Sequence, residues 1–277
     1  MKELKNCGGK ILLSEFILKN TDFGPFKVKK LISKGEVKVD SVRKKEDAFL
    51  CGGETVLVYA DDEVKTQVVF QDDNVLFAVK PEGIEVLGEK SFESRVNRQF
   101  GKEGQKIRAV NRLDRNTSGI VCFAKNDEAE EELLSAFKNR QVDKLYETLV
   151  YGVVKQKHAL LEAWLFKDAK KSLVYIYPQK RQGAVPIKTE FTVKETYKNY
   201  TRLTVRLHTG RTHQIRAHLA FIGHPILGDG KYSSNEINKQ FPFKNQALCA
   251  VQYMFKLPEQ SFLSYLNTKL IKISPPF

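Results

Sequence analysis

The chain has 277 residues, 42% hydrophobic and 29% charged, the balance of a soluble globular protein with room for one large domain and a small one. Lys and Arg number 46 against 33 Asp and Glu, a formal +13 with a pI near 9.4, which implies a polyanionic partner, either nucleic acid or an acidic membrane surface. Cys7, Cys51, Cys122 and Cys249 are scattered, with no Cys-x-x-Cys pair, and the apolar run at 11–18 is broken by Ser14 and Glu15; this argues against a zinc ribbon, a disulfide framework, a signal peptide or a membrane span, and leaves the cytoplasm as the default.

Taken in chain order, Ile11, Leu12, Phe16 and Ile17 recur at helical spacing, and Val28, Leu31 and Ile32 repeat the pattern after Gly24-Pro25, with Gly35 as the stop. Residues 36–40 and 55–59 alternate as strands. Residues 10–45 carry ten Lys or Arg and four acids, whereas 46–63 carry six acids and no base, so the positive charge is segregated to one segment. The acidic run 60–63 reads as a linker, dividing the chain into 1–60, a linker 61–66 and a domain 67–277.

Beyond the linker, residues 68–70 and 75–79 flank Asp72-Asp-Asn74 as strand, turn and strand. Residues 120–124 form a strand, followed by a helix with Asp127 and Glu130 in a capping-box pattern and Ala129, Leu133, Ala136 and Phe137 on its buried face. A strand over 145–151 and a helix over 212–222 follow; on the latter, Ile215, Leu219 and Ile222 form an apolar stripe with Arg216 and His213 on its shoulder. Irregular alternation of strands and short helices predicts an α+β fold around a mixed, largely antiparallel sheet with flanking helices.

The segment Asn111-Arg-Leu-Asp-Arg-Asn-Thr-Ser-Gly119 concentrates one carboxylate, two arginines and small polar residues in a turn-rich stretch. Asp114 is its natural nucleophile or base, and Arg112 and Arg115 suit an anionic substrate; a surface loop with a local salt bridge is the plainer alternative. This loop resembles the His-Arg-Leu-Asp-x-x-Thr-Ser-Gly motif of the RluA family of RNA pseudouridine synthases, with Asn111 where the family usually has His. Residues 144–152 resemble the family's Tyr-bearing strand, and 207–219 with 223–229 its third signature, while Val79-Lys-Pro-Glu-Gly83 is a weaker match. The likeness spans roughly 67–277, and the first unit resembles the αL RNA-binding module of the S-four type, a small α/β domain, with Lys27, Lys29, Lys30 and Lys34 on its RNA-facing helix.

The resemblance implies isomerisation of uridine to pseudouridine without a cofactor, in large-subunit ribosomal RNA by analogy, with transfer RNA as the alternative. It implies that Arg216 pairs with the catalytic Asp114 and that Tyr146 lies against the target base, although on pattern alone Tyr146 reads as a core aromatic and Arg216 as a structural ion pair. The sequence leaves open whether Asp114 attacks the base, attacks the ribose or removes a sugar proton. Arg112 is the candidate to fill the gap left by an extruded base, with phosphate contact as the simpler role, while Arg115, Arg211 and His213 are expected RNA contacts. His208, His213, His218 and His224 are spaced unfavourably for a metal, so none is expected. A monomer acting on RNA is expected; a glycosidase, which normally needs two carboxylates, and a non-catalytic RNA-binding paralogue are the competing classes.

Overall fold

Val75, Leu76, Phe77 and Ala78 are all buried, Val75 and Phe77 in one hydrophobic core and Leu76 and Ala78 in another. Alternate side chains of a strand point to opposite faces, so a continuous apolar run marks a strand covered on both sides. This strand belongs to the second of two compact units, residues 1–65 and 66–277. The computed structural model describes residues 1–21, 23–59, 65–102 and 104–277; residues 61–64 of the expected linker lie outside it.

The first unit contains β1 (Lys2–Lys5), β2 (Ile11–Leu12), α1 (Leu13–Asn20), α2 (Pro25–Ser33), β3 (Val37–Val39), β4 (Val42–Lys44), β5 (Phe49–Leu50) and β6 (Thr55–Val58). A four-stranded sheet in the order β1-β6-β3-β4 packs with both helices around Leu13, Ile17, Val28, Val37 and Val56. Ile11 and Leu12, expected in the first helix, instead pair with Leu50 and Phe49; backbone bonding to β5 overrides their helical spacing. Helix α2 ends in a Schellman motif, with Gly35 N–H donating to Ile32 O at 2.8 Å and Glu36 N–H to Leu31 O at 2.8 Å, for which Gly35 takes a φ of +66°. Lys29 and Lys30 are exposed on α2, Lys27 is half-buried with its ammonium 4.1 Å from the centre of the Phe23 ring, and Lys34 lies just beyond the helix as its cap rather than on it.

The second unit contains β7 (Val68–Gln71), β8 (Val75–Lys80), α3 (Phe92–Phe100), β9 (Arg108–Ala109), β10 (Ser118–Ala124), α4 (Asp127–Lys138), β11 (Val142–Tyr151), β12 (His158–Asp168), β13 (Leu173–Tyr177), β14 (Val185–Thr196), β15 (Tyr200–Leu207), α5 (Gln214–Phe221), α6 (Asn235–Asn238), β16 (Leu248–Phe255) and β17 (Ile271–Lys272). The sheet runs β13-β12-β14-β15-β11-β16-β10-β8-β7, with β9 beside β10 and β17 beside β16. Neighbours are antiparallel except β10 and β16, so the expected mixed, largely antiparallel α+β sheet is observed. At the parallel contact, a Cβ on Gly119 would meet Ala250 N and O at 2.4 Å, and Gly119 has a φ of +120°; only glycine fits there.

Helices α3 and α5 supply Phe92, Val96, Ile215 and Leu219 to one face of the sheet, and α4 supplies Ala129, Leu133 and Ala136 to the other. The cap of α4 is Asn126, which accepts from Ala129 N–H at 2.8 Å, rather than Asp127; Glu130 is drawn instead into an ion pair with Arg108, so the expected capping box does not form. Helix α3 is not among the elements expected from the sequence, yet it carries a capping box between Ser91 and Ser94 and apolar residues at 92, 96 and 100. Helix α5 starts at Gln214, two residues later than its apolar stripe suggests, because His213 adopts a left-handed φ of +53°. The expected helical angle between His213 and Arg216 therefore does not apply.

Candidate active site

Asp114 lies in the loop between β9 and β10, Tyr146 on β11 and Arg216 on α5, and all three line one cleft of about 1100 Å³. Turn geometry sets the carboxylate in place, since Asp114 O accepts from Thr117 N–H at 3.0 Å and the Thr117 hydroxyl accepts from Gln246 at 3.2 Å. One charged anchor holds the loop from beneath. The Lys80 ammonium, fully buried at the end of β8, donates to Arg115 O at 2.9 Å, Ile84 O at 2.9 Å and Pro81 O at 2.8 Å. Burial lowers its pKa to about 8, against the opposing pull of Glu85 and Asp114.

Arg216 Nη1 donates to Asp114 Oδ2 at 3.0 Å. The same guanidinium is gripped on its other edge by Asp229, Nε to Oδ2 at 2.7 Å and Nη2 to Oδ1 at 2.9 Å. Asp229 is fully buried and also accepts from the backbone N–H of Lys231 at 2.9 Å and Tyr232 at 3.2 Å, so its charge is satisfied from four directions. Burial alone would drive the Arg216 pKa down, but its bonds and charge interaction with Asp229, joined by Asp114, carry it above its ordinary value. The arginine is thus permanently charged, its fork is fixed by Asp229, and its free Nη1–H aims the Asp114 carboxylate at the cleft. Arg216 is 7% exposed and Asp114 25%, so the Asp114 carboxylate is the more accessible of the two.

Tyr146 is buried against Leu113, Ile215 and Leu248 within the core on this face, yet it also borders the cleft. Desolvation first, then the charge of Asp114, push its phenol pKa up, so the hydroxyl stays protonated at neutral pH. His213 is expected as an RNA contact; its ring lies 4.0 Å from Asp114 and bonds the Tyr232 hydroxyl at 2.8 Å, only 13% exposed, so it faces the interior of the cleft rather than an outer phosphate. Burial holds it below the ordinary imidazole pKa. Arg112, Arg115 and Arg211 are exposed at the rim, with Arg115 Nε donating to Gly83 O at 3.1 Å. Each histidine considered for a metal is engaged separately, His208 with Glu190, His213 with Tyr232, His218 with Thr189 and His224 with the Tyr151 carbonyl.

Asn111, at the position of the family's histidine, borders the cleft but is bonded into the sheet. Its Oδ1 accepts from Cys122 N–H at 2.8 Å and its Nδ2 donates to the Tyr253 hydroxyl at 2.8 Å, while Tyr253 donates to Ile120 O at 3.0 Å. Its role is to tie the loop to β10 and β16. Sequence reasoning assigns no role to Lys80, Asp229 or Tyr253, although Lys80 and Asp229 stand inside segments already singled out, Lys80 before a proline and Asp229 at the end of the third signature.

A family model described as RNA pseudouridylate synthase matches residues 74–221, which span the loop, the tyrosine strand and helix α5. An uncharacterized RNA pseudouridine synthase of Aquifex aeolicus is 31% identical over 83% of this chain and 79% of its own length. The ribosomal large subunit pseudouridine synthase C of Haemophilus influenzae is 32% identical over 76% of this chain and 71% of its own. In fold, the solved structure of Human RNA Pseudouridylate Synthase Domain Containing 1 superposes with a TM-score of 0.61 at 22% identity, covering 78% of this chain and 92% of that one. The chain belongs to the RNA pseudouridylate synthase family, in its RluA branch, and is an RNA pseudouridine synthase, an isomerase.

Proposed function

We propose that the protein isomerises specific uridines of large-subunit ribosomal RNA, with Asp114 as the catalytic carboxylate, Arg216 as the residue that orients it and Tyr146 as the face against the target base. The observation that carries the assignment is the 3.0 Å bond from Arg216 Nη1 to Asp114 in a cleft bordered by Tyr146. The ribosomal substrate rests on relatives such as the synthases C of Haemophilus influenzae and D of Vibrio cholerae, the latter 28% identical over 86% of this chain, whose names specify the ribosomal large subunit. The glycosidic C–N bond breaks, the uracil turns within the cleft, and a C–C bond forms through C5. No redox step occurs, and the atoms of the uridine are conserved.

A uridine inside folded RNA must leave its stack to reach Asp114, and exposed Arg112, two residues away at the rim, has a planar guanidinium able to stack in the vacated space. Arg115 and Arg211 at the rim would meet phosphates, and His213 would meet the base within the cleft. In the first unit, Lys27, Lys29, Lys30 and Lys34 would dock RNA phosphates as an S-four-type module does. Neutralising any one of these lysines should lower the slope of log affinity against log salt by about 0.7 on single-stranded RNA.

Mapping pseudouridine in RNA from a strain lacking the gene, complemented with wild type or Asp114→Asn, tests the reading. The expected result is one or more large-subunit sites that vanish with the gene, return with wild type and fail to return with the variant. Sites confined to transfer RNA would overturn the ribosomal assignment, and full restoration by Asp114→Asn would overturn the catalytic one.

A further inference from the structure

Two residues before Tyr146 on β11 stands Lys144. The pairing of β11 with β16 shifts between Leu145 and Tyr146, so Lys144 stands opposite Tyr253 while Tyr146 stands opposite Ala250. Lys144 borders the same cleft as Asp114 and Tyr146. Its ammonium lies 5.4 Å from the centre of the Phe137 ring and 3.8 Å from where a Cβ on Gly210 would stand, so the missing side chain at 210 leaves room beside the charge.

Other lysines held in this unit have oxygen partners: Lys80 has three carbonyls, Lys194 has Glu147 at 2.8 Å, and Lys231 has Ser172 O at 2.8 Å. Among the described residues, Lys144 has only the Phe137 ring and makes no hydrogen bond or ion pair. Burial lowers its pKa, with no carboxylate opposing the shift. A partly desolvated cation kept without a counter-ion costs stability, and it binds an arriving anion strongly because little water remains to be displaced.

The anion that RNA offers is phosphate. We propose that Lys144 is a phosphate-anchoring residue of the cleft, holding the backbone phosphate that adjoins the target uridine while Tyr146 receives its base. Two residues of a strand span about 7 Å, a span suited to a nucleobase and its own phosphate. The inference rests on the reading that this cleft receives the uridine.

The test uses the full-length protein and total RNA from a strain lacking the gene, which contains the natural target whatever its class. Pseudouridine formation is followed under single-turnover conditions, with enzyme in excess, across a series of KCl concentrations. Lys144→Met keeps the aliphatic stem over Phe137, and Lys144→Gln provides a second, polar variant should the first fold poorly. The expected result is a half-saturating enzyme concentration raised about tenfold, one charge-assisted bond's worth, with the saturating rate little changed. The salt slope should fall by about 0.7, the increment for one phosphate. Lys144→Arg should restore both. An unchanged salt slope overturns the proposal, whether the saturating rate falls, as it would if Lys144 served the base or the chemistry, or stays the same. Wild-type protein that forms no pseudouridine in this RNA would overturn the underlying reading as well, and the two failures differ in that the second is visible without any variant.

Discussion

Asp229 holds Arg216 through two parallel bonds of 2.7 and 2.9 Å, and this leaves Nη1 as the edge of the guanidinium that meets Asp114. The buried aspartate is linked to Asp114 through the arginine. Asp229→Asn keeps the shape but turns an amide N–H toward the fork and leaves a buried cation short of charge, which should cost about 3 kcal/mol of stability. Since misplacing a reacting group by about 1 Å can lower a rate hundredfold, turnover should fall by about that factor while RNA affinity changes little. Urea unfolding, single-turnover rates and a binding curve on one RNA measure the three quantities. Wild-type turnover in the variant would show that Arg216 needs no second carboxylate to be aimed.

Tyr146 should contribute its ring more than its hydroxyl. Tyr146→Phe preserves the face and should stay within about tenfold of the wild-type rate, whereas Tyr146→Ala should lose about 1 to 3 kcal/mol of base stacking and also open a cavity in the core. Because desolvation and Asp114 push the phenol pKa up, Tyr146 should add no inflection to the activity profile near neutral pH. Equal rates for the two variants would return Tyr146 to a packing role.

Asn111 satisfies the buried N–H of Cys122 and the hydroxyl of Tyr253 at once. Asn111→Ala should therefore cost about 2 kcal/mol and slow turnover by loosening the loop. Asn111→His should recover most of both, because a neutral imidazole has one acceptor and one donor nitrogen. A double-mutant cycle with Tyr253→Phe should show coupling between the positions; additive effects would mean that the two residues stabilise the loop independently.

His218 is buried against Thr189 Oγ at 3.0 Å, and desolvation lowers its pKa from 6.5 to about 4. The unfolded chain binds the proton first as pH falls, so the native state is at full strength above about pH 6.5 and loses stability between there and about pH 4. The loss attributable to this group is about 3 kcal/mol. Wild type and His218→Asn should be compared by urea unfolding at pH 7 and pH 4.5, where the variant should show the shallower decline. Parallel declines would mean that other groups carry the acid sensitivity.

Much of this organisation is legible in the sequence because it is local. Apolar periodicity marks α1, α2 and α4, continuous apolar runs mark β8 and β10, and the loop from Asn111 to Gly119 announces itself by composition. Local signals also mislead where a partner lies elsewhere: Ile11 and Leu12 have helical spacing but join β5, and Glu130 leaves its expected capping role for Arg108. Arg216 and Asp114 are 102 positions apart, and Asn111 and Tyr253 are 142 apart. No pattern within a helix or strand specifies such contacts. They arise when β10 is placed parallel to β16, with β11 on the other side of β16, which brings the loop, the Tyr146 side chain and α5 together on one face of the sheet. Residue types and their order determined the family and the candidate chemistry. Only the tertiary structure decided that Asp229 shares the arginine, that Lys80 pins the loop and that Lys144 faces the cleft with no counter-ion among the described residues, because each depends on burial and on groups distant in sequence.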